Sequence, residues 1–497
     1  MNSATTPSTE PEEFRPRDFL RFIIGTAMFA MLGLILLQEF CSAATTWLVI
    51  RIARDITQES VSAGNFGWII VAQTVSYLAG AVSWIYAERA GFGAYSRYML
   101  HFARQNRFKT ALLNDSTARE QSEPFLTNET FHVCFELIFT LQFHLRLFFQ
   151  LLFNSLVLGF EIDAGLPAAF AVAFVVLAAL QWFLRKPLAE AYLHNQHMTN
   201  RMTARTYNAW DNIFSGNRYN FSFWHRDFRQ RLRDALAAQI RAILLREGWS
   251  AVSGLIALLL VLSTTAWIAL QAAGNLALLI ALAATLPRQI EMTLDMHQLT
   301  VGFTDLIAVW TRIKGVCKHI IPLPDPQFVD RIGFGHVVLK EGEHERHCSS
   351  LSEAMQTVLA LPTGLIAVRG GNGSGKSTLL AALKAQLRGS AYYWPTQDRL
   401  AFAFNSGMAI PVEVAMDIDD PEAISASEDA EQKKGYSSGE RQVQVLREIV
   451  SHTRYPVYLL DEWDANLDTA NRATAIALVE TLARRARVIE VSHRDTV

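Results

Sequence analysis

Apolar residues gather into long runs before about residue 300 and thin out after about 330, where short apolar stretches alternate with polar segments. A bilayer core needs roughly 20 apolar residues per helix. Runs of that kind lie near 19–48, 66–87, 135–160, 166–185, 249–271 and 274–296, so six spans are expected. Only Glu161-Ile162-Asp163-Ala164-Gly165 separates the third from the fourth, and Gln271-Ala272-Ala273-Gly274-Asn275 the fifth from the sixth. Both pairs read as tight hairpins.

Two other connections are long and basic. Arg89, Arg97, Arg104, Arg107, Lys109 and Arg119 lie between the second and third spans. Arg185, Lys186, Arg201, Arg205, Arg218, Arg226, Arg229, Arg231 and Arg233 lie between the fourth and fifth, whereas the hairpin turns hold no Lys or Arg. The positive-inside rule puts the long connections and both termini in the cytoplasm. Arg51 and Arg54 dissent mildly. The pattern predicts helices over Ala90–Leu113 and Leu188–Trp210, running beyond the bilayer at about 1.5 Å per residue. They break at Asn114-Asp115-Ser116 and Ser215-Gly216-Asn217. Tips of this kind, near Asn114–Glu123 and Trp210–Asn220, suit contact with something in the cytosol.

A composition of 51% hydrophobic and 19% charged residues argues against an ordinary soluble enzyme. Net charge is −2 and no basic block tracks a phosphate backbone, so no nucleic-acid partner is expected. Cys41, Cys134, Cys317 and Cys348 form no C-x-x-C pair, which supports neither a zinc site nor a disulfide framework. Residues 1–14 are rich in Ser, Thr, Pro and Glu, and Glu10, Glu12 and Glu13 spoil the basic region of a secretory signal. A disordered cytosolic tail over 1–16 is expected there.

The polar part carries the chemistry. Gly370-Gly371-Asn372-Gly373-Ser374-Gly375-Lys376-Ser377 fits G-x-x-x-x-G-K-[ST], after the apolar run Gly364–Val368 and before the helix-prone Thr378–Leu383. In such a loop glycines let backbone N–H groups turn onto phosphate oxygens at a helix N-terminus. Lys376 supplies a cation to the terminal phosphates and Ser377 a hydroxyl for Mg²⁺. Pro456–Leu460 is an apolar strand ending in Asp461 and Glu462, suited to a Mg²⁺ shell and to polarising water. Arg487–Val491 is a further strand, ending near His493, and Ser437-Ser438-Gly439-Glu440 opens a helix that offers a second phosphate-binding surface. The expected fold is a membrane protein: an all-α six-helix transmembrane domain over 17–320, then an α/β P-loop nucleotide-binding domain over 330–497.

The order of these motifs resembles an ATP-binding cassette (ABC) domain, and the six spans with two long connections resemble the membrane half of an ABC exporter. The resemblance covers about 17–497. It implies ATP and Mg²⁺ as ligands, with Gly370, Asn372, Gly373, Ser374, Gly375, Lys376, Ser377 and Thr378 as the Walker A loop. It further implies Gln397 as the Q-loop glutamine, Ser437, Ser438, Gly439 and Glu440 as the signature, and Asp461 as the Walker B aspartate. Glu462 would be the catalytic base, Ala465–Asp468 the D-loop and His493 the switch histidine; Ser377, Gln397 and Asp461 would surround the metal. The sequence departs from the family with Ser438 for a glycine, Glu440 for a glutamine, and a short Lys376–Gln397 spacing. No tyrosine occupies the usual adenine-stacking position, for which His344, Arg346 or His347 are substitutes. The Glu462-Trp463 pair resembles exporters of cyclic peptides and siderophores.

What the resemblance implies is a homodimer in a bacterial inner membrane, exporting a small amphipathic molecule such as a peptide natural product. The alternatives are an ATP sensor or assembly factor without transport, an importer, or a lipid flippase. Gln38, Glu39, Gln73, Glu136, His144 and Arg146 are polar positions in or near spans and so candidates for cargo contact or for interhelical pairing. Arg288 and Glu291 follow Pro287 and read as part of the cytoplasmic extension.

Overall fold

The structure, a computed structural model, describes residues 14–60, 62–206, 208–396, 400–402, 437–465 and 467–492. Six of its helices are long and apolar enough to cross a membrane: α2 (Thr26–Thr57), α3 (Ala63–Asn106), α5 (Thr130–Glu161), α6 (Gly165–Thr206), α8 (Arg218–Gln271) and α9 (Leu276–His319). Three short helices lie among them, α1 (Pro16–Ile23), α4 (Ser116–Pro124) and α7 (Ala209–Phe214). The chain divides into two compact units. One holds the residues up to Tyr98 and Thr127–Lys318, the other Met99–Leu126 and the residues from His319 onward. The first long connection thus belongs with the polar unit, not with the helices that flank it.

Both expected hairpins are present, α5–α6 and α8–α9, but several expected boundaries move. The run from 19 is not one helix: α1 ends at Ile23, and Gly25 is extended before α2 begins. Arg97 of α3 explains the break, because its Nε and Nη2 donate to Phe22 O at 2.8 and 2.6 Å. That carbonyl sits in the last turn of α1, and the guanidinium packs where a side chain on Gly25 would go. The last span starts at Leu276, since Asn275 Oδ1 accepts from Leu278 N as a cap. The connection helices also stop earlier than expected, at Asn106 and Thr206. Asn106 Nδ2 donates to Phe102 O and to Ile320 O, which ends α3 against the start of the polar unit's chain. A 3-10 turn, Thr110–Asn114, follows. The expected breaks at Asp115 and Ser215–Asn217 are observed.

Within the helical unit, α6 lies along α8 and α2 along α5. Leu166, Phe170, Ala173 and Leu177 of α6 pack with Ala257, Val261 and Ile268 of α8 and with Met292 and Met296 of α9. Large apolar residues such as Trp68, Ile70, Leu78 and Trp84 on α3 are exposed, as suits a face in contact with lipid. Polar residues inside this unit are mostly paired across helices, such as Thr46 Oγ1 to Asn154 Oδ1 at 2.6 Å and Thr265 Oγ1 to Gln289 Oε1 at 2.6 Å. Arg288 belongs to this set: it donates to Ser42 and Asn154 on neighbouring helices. Its expected place in a cytoplasmic extension is therefore corrected.

The other unit is built on a mixed sheet in the order β2-β1-β3-β6-β5-β4. The strands are β1 (Val338–Glu341), β2 (His344–His347), β3 (Gly364–Arg369), β4 (Ala391–Trp394), β5 (Val457–Asp461) and β6 (Arg487–Val491). β3, β6, β5 and β4 are parallel neighbours, while β1 joins β3 and β2 antiparallel. β5 and β6 are buried at every position, as strands covered on both faces should be, even though β6 carries Arg487 and Glu490. Alternate residues serve two cores. Leu459 and Ile489 pack with α10 (Leu351–Leu359) and α11 (Lys376–Leu387) on one side. Tyr458, Leu460 and Val488 pack with α12 (Ser438–His452) and α13 (Thr469–Ala483) on the other. The 3-10 turn after α3 joins the first core: Ala111 packs there and Thr110 Oγ1 donates to Ala381 O at 2.7 Å.

Arg487 opens β6 at 1% exposure, with acceptors for its Nε and Nη1 and none among the described residues for Nη2. Its guanidinium donates to Val358 O, Thr363 O and the Glu341 carboxylate. That hydrogen bond holds the Glu341 carboxyl below its ordinary 4.5. Because the folded value lies below the unfolded one, this stabilisation is complete above pH 4.5 and fades as pH falls through the folded value. Glu341→Gln should cost about 1–2 kcal/mol at neutral pH, in the range for a charged hydrogen bond. Denaturant unfolding of the detergent-solubilised protein checks this: the gap between wild type and variant should close in acid, and a pH-independent gap would contradict it.

Candidate functional site

Parallel strands carry their C-terminal ends to one sheet edge, so the ends of β3 and β5, flanking β6, lie side by side. Ligands of open α/β sheets bind at such edges. From β3 the chain enters the turn 370–375 and then α11. Gly375, the residue before the helix, has φ 89°, a conformation open to glycine. A Cβ there would stand 2.7 Å from Arg331 O and 2.8 Å from Ile332 Cα; on Gly370 it would stand 2.6 Å from His336 O. The segment 331–336 therefore backs the turn closely, and Gly333 N donates to Ser374 O at 3.0 Å. Gly370, Asn372 and Gly373 are exposed.

Lys376 Nζ curls over the turn, donating to Gly370 O at 2.8 Å and Gly371 O at 3.0 Å. Thr378 and Ser377 follow in the first turn of α11, where backbone N–H groups lack helical partners and the helix dipole favours an anion. Ser377 Oγ donates to Asp461 Oδ1 at 3.0 Å. Asp461 is 3% exposed at the end of β5. Burial pushes its carboxyl above the usual range, the hydroxyls of Ser377 and Thr396 pull it back, and the Glu462 charge raises it again. A carboxylate so placed gains from a cation that replaces lost hydration.

Glu462 holds φ 47°, a left-handed conformation costly for a non-glycine residue. Its surroundings over-determine it. Glu462 N donates to Val491 O at 2.8 Å, and the next side chain, Trp463, is buried with Nε1 donating to Glu490 Oε2 at 2.9 Å. Ser492 ties the same edge to β3, accepting from Arg369 Nη1 at 2.8 Å through its carbonyl. Glu462 is thereby presented half-buried beside Asp461.

Ser437 caps α12 in a full capping box: its Oγ accepts from Glu440 N, and the Glu440 carboxylate accepts from Ser437 N at 2.8 Å. That backbone hydrogen bond holds the Glu440 carboxyl below its ordinary range. Ser438 and Gly439 complete the first turn. Among the described residues, no hydrogen bond or ion pair joins this helix start to the turn 370–375. The structure therefore brings Lys376, Ser377, Asp461 and Glu462 together, without a direct bond from Ser437–Glu440 among the described residues. Gln397, His493 and Asn466 lie outside the described residues. His344, Arg346 and His347 occupy the exposed edge strand β2. Among the described residues, no cluster of three or more His, Cys, Asp or Glu could hold a metal, so a metal here would rest on hydroxyl and single-carboxylate donors.

Sequence reasoning did not single out Thr396, Glu490 or the Arg369–Ser492 link. A signal existed for Glu490, a carboxylate between Ile489 and Val491 in a buried strand; the others follow only from strand order. Compared with known proteins, the chain matches no protein-family model and no curated protein.

Gly375→Ala should destabilise this unit by about 1–3 kcal/mol, since a Cβ meets backbone in a conformation that alanine resists. A thermal-shift measurement on the purified protein tests it; an unchanged midpoint would mean that segment 331–336 yields freely.

Proposed function

We propose that this chain is an ATP-hydrolysing half of a membrane transporter of the ABC type, working as a dimer of identical chains. The observation that carries the reading is the 3.0 Å Ser377–Asp461 contact, with Lys376 over a glycine-rich turn and Glu462 one residue beyond. The turn and the α11 N-terminus suit the β- and γ-phosphates, and Lys376 exchanges its two carbonyl partners for phosphate oxygens. Ser377 and Asp461 fit a hard cation, being a hydroxyl and a buried carboxylate already in contact, and would hold Mg²⁺. When bound, that ion neutralises phosphate charge.

In this reading water attacks the γ-phosphorus in line, its proton passes to Glu462, and the bond to the β-phosphate oxygen breaks to release ADP. The strained, doubly anchored backbone of Glu462 keeps its carboxylate at the strand end where that water must be. Ser437–Glu440, not bonded to the turn within one chain among the described residues, serves the nucleotide of the partner chain. The six long apolar helices support a transport role, and the arginine-rich long connections favour a cytoplasmic nucleotide unit, in this reading at a bacterial inner membrane. Gln397 and His493 retain the roles the resemblance implies. The cargo is a small amphipathic molecule moved outward.

Glu462→Gln should bind ATP yet slow turnover by about 10² or more, the scale of a lost general base. Lys376→Ala should lose nucleotide binding. Wild-type turnover in the first variant, or undiminished ATP binding in the second, would overturn the assignment. Inverted vesicles that accumulate a peptide only with hydrolysable ATP would separate transport from sensing.

A further inference from the structure

Several charged groups inside the helical unit are closed by direct hydrogen bonds. Arg288 donates to Glu291 at 2.7 Å, Ser42 at 2.6 Å and Asn154 at 3.2 Å. Asp295 accepts from Gln150 at 2.6 Å. Glu39 and Arg146, on the neighbouring helices α2 and α5, are not closed in this way. Glu39, at the middle of the 32-residue α2, is 2% exposed, and among the described residues it makes no hydrogen bond or ion pair. Among the described residues the buried Nε of Arg146, at the middle of the 32-residue α5, has no hydrogen-bond partner; the guanidinium lies over the Phe143 ring, 5.8 Å away, and acts electrostatically on Asp295 as well as on Glu39.

Arg146 is the charge that acts most strongly on Glu39, yet no guanidinium nitrogen lies within the 4.0 Å of an ion pair. A carboxylate removed from water without a partner is costly, and unpaired charges within membrane helices mark ligand paths. Interhelical glue would have closed the contact, as Arg288 has done with Ser42 on α2 and Asn154 on α5. Opposite charges held open to each other match a molecule that carries both signs.

We propose that Glu39 and Arg146 form a binding site for a zwitterionic cargo group, Glu39 taking an ammonium and Arg146 a carboxylate, as in an amino acid or short peptide with free termini. Phe143, beside Arg146, offers apolar contact to the side chains of such a molecule. The inference deepens the transport reading and rests on it, but the site can be assayed without nucleotide.

The full-length protein in lipid nanodiscs, free of ATP, is titrated with radiolabelled Leu-Phe in four forms: both termini free, N-acetylated, C-amidated, and blocked at both ends. The wild type should prefer the free dipeptide over each singly blocked form by about tenfold, the scale of one charged hydrogen bond. Glu39→Gln should erase the preference over the N-acetyl form and keep that over the amide; Arg146→Gln should do the reverse. Equal binding of all four forms, or no measurable binding by wild type, overturns the site. So does a variant that weakens all four by one factor, as a purely structural role would. Basal ATP turnover, read in parallel, tests the other assignment separately: its loss with the terminus preferences intact would sink ATP hydrolysis and leave this site standing.

Discussion

The hydroxyl of Ser377 and the carboxylate of Asp461 meet across the sheet edge, and most of the candidate site is arranged around that contact. Asp461 is buried at the end of an apolar strand, where an ionised group needs a partner. Ser377 can supply one only because Gly375 turns the chain sharply enough to start α11 there. Gly375 in turn can be nothing larger, since segment 331–336 stands against it. One buried charge thus sets requirements on a helix start, a glycine and a preceding loop that are far apart in the chain.

A different constraint governs the membrane helices. Hydrocarbon offers no hydrogen bonds, so each polar side chain inside the bundle must find its partner in the protein, on its own helix or another. Arg288 reaches two other helices through Ser42 and Asn154, and Thr46, Asn154, Thr265 and Gln289 pair across helices. Close helix approach also needs small residues: the space a Cβ on Gly302 would occupy already holds the His144 ring, its Nε2 1.6 Å away. Against this background of matched groups, Glu39 and Arg146 are conspicuous because the same packing that satisfies their neighbours leaves them apart.

The six spans, the two hairpins and the glycine-rich turn were legible in the sequence because each is written in local terms: apolar length, turn residues, or a fixed spacing. Asp461 and Glu462 were legible for the same reason, as carboxylates closing an apolar run. The boundary at Gly25 was not, since the side chain that ends α1 comes from Arg97 on another helix. Nor was the role of Arg288, whose partners Ser42 and Asn154 belong to α2 and α5.

By itself, then, the sequence determined which segments are apolar enough for a bilayer, which residues can turn a chain around a phosphate, and where carboxylates end strands. Only the tertiary structure decided that Ser377 touches Asp461, that the tip after α3 joins the sheet's core, and that Glu39 and Arg146 in the bundle are not in direct contact. The reason is physical. Hydropathy and glycine backbone freedom act over a few neighbouring residues, whereas hydrogen bonds and charge pairing depend on distances that exist only once strands and helices are side by side.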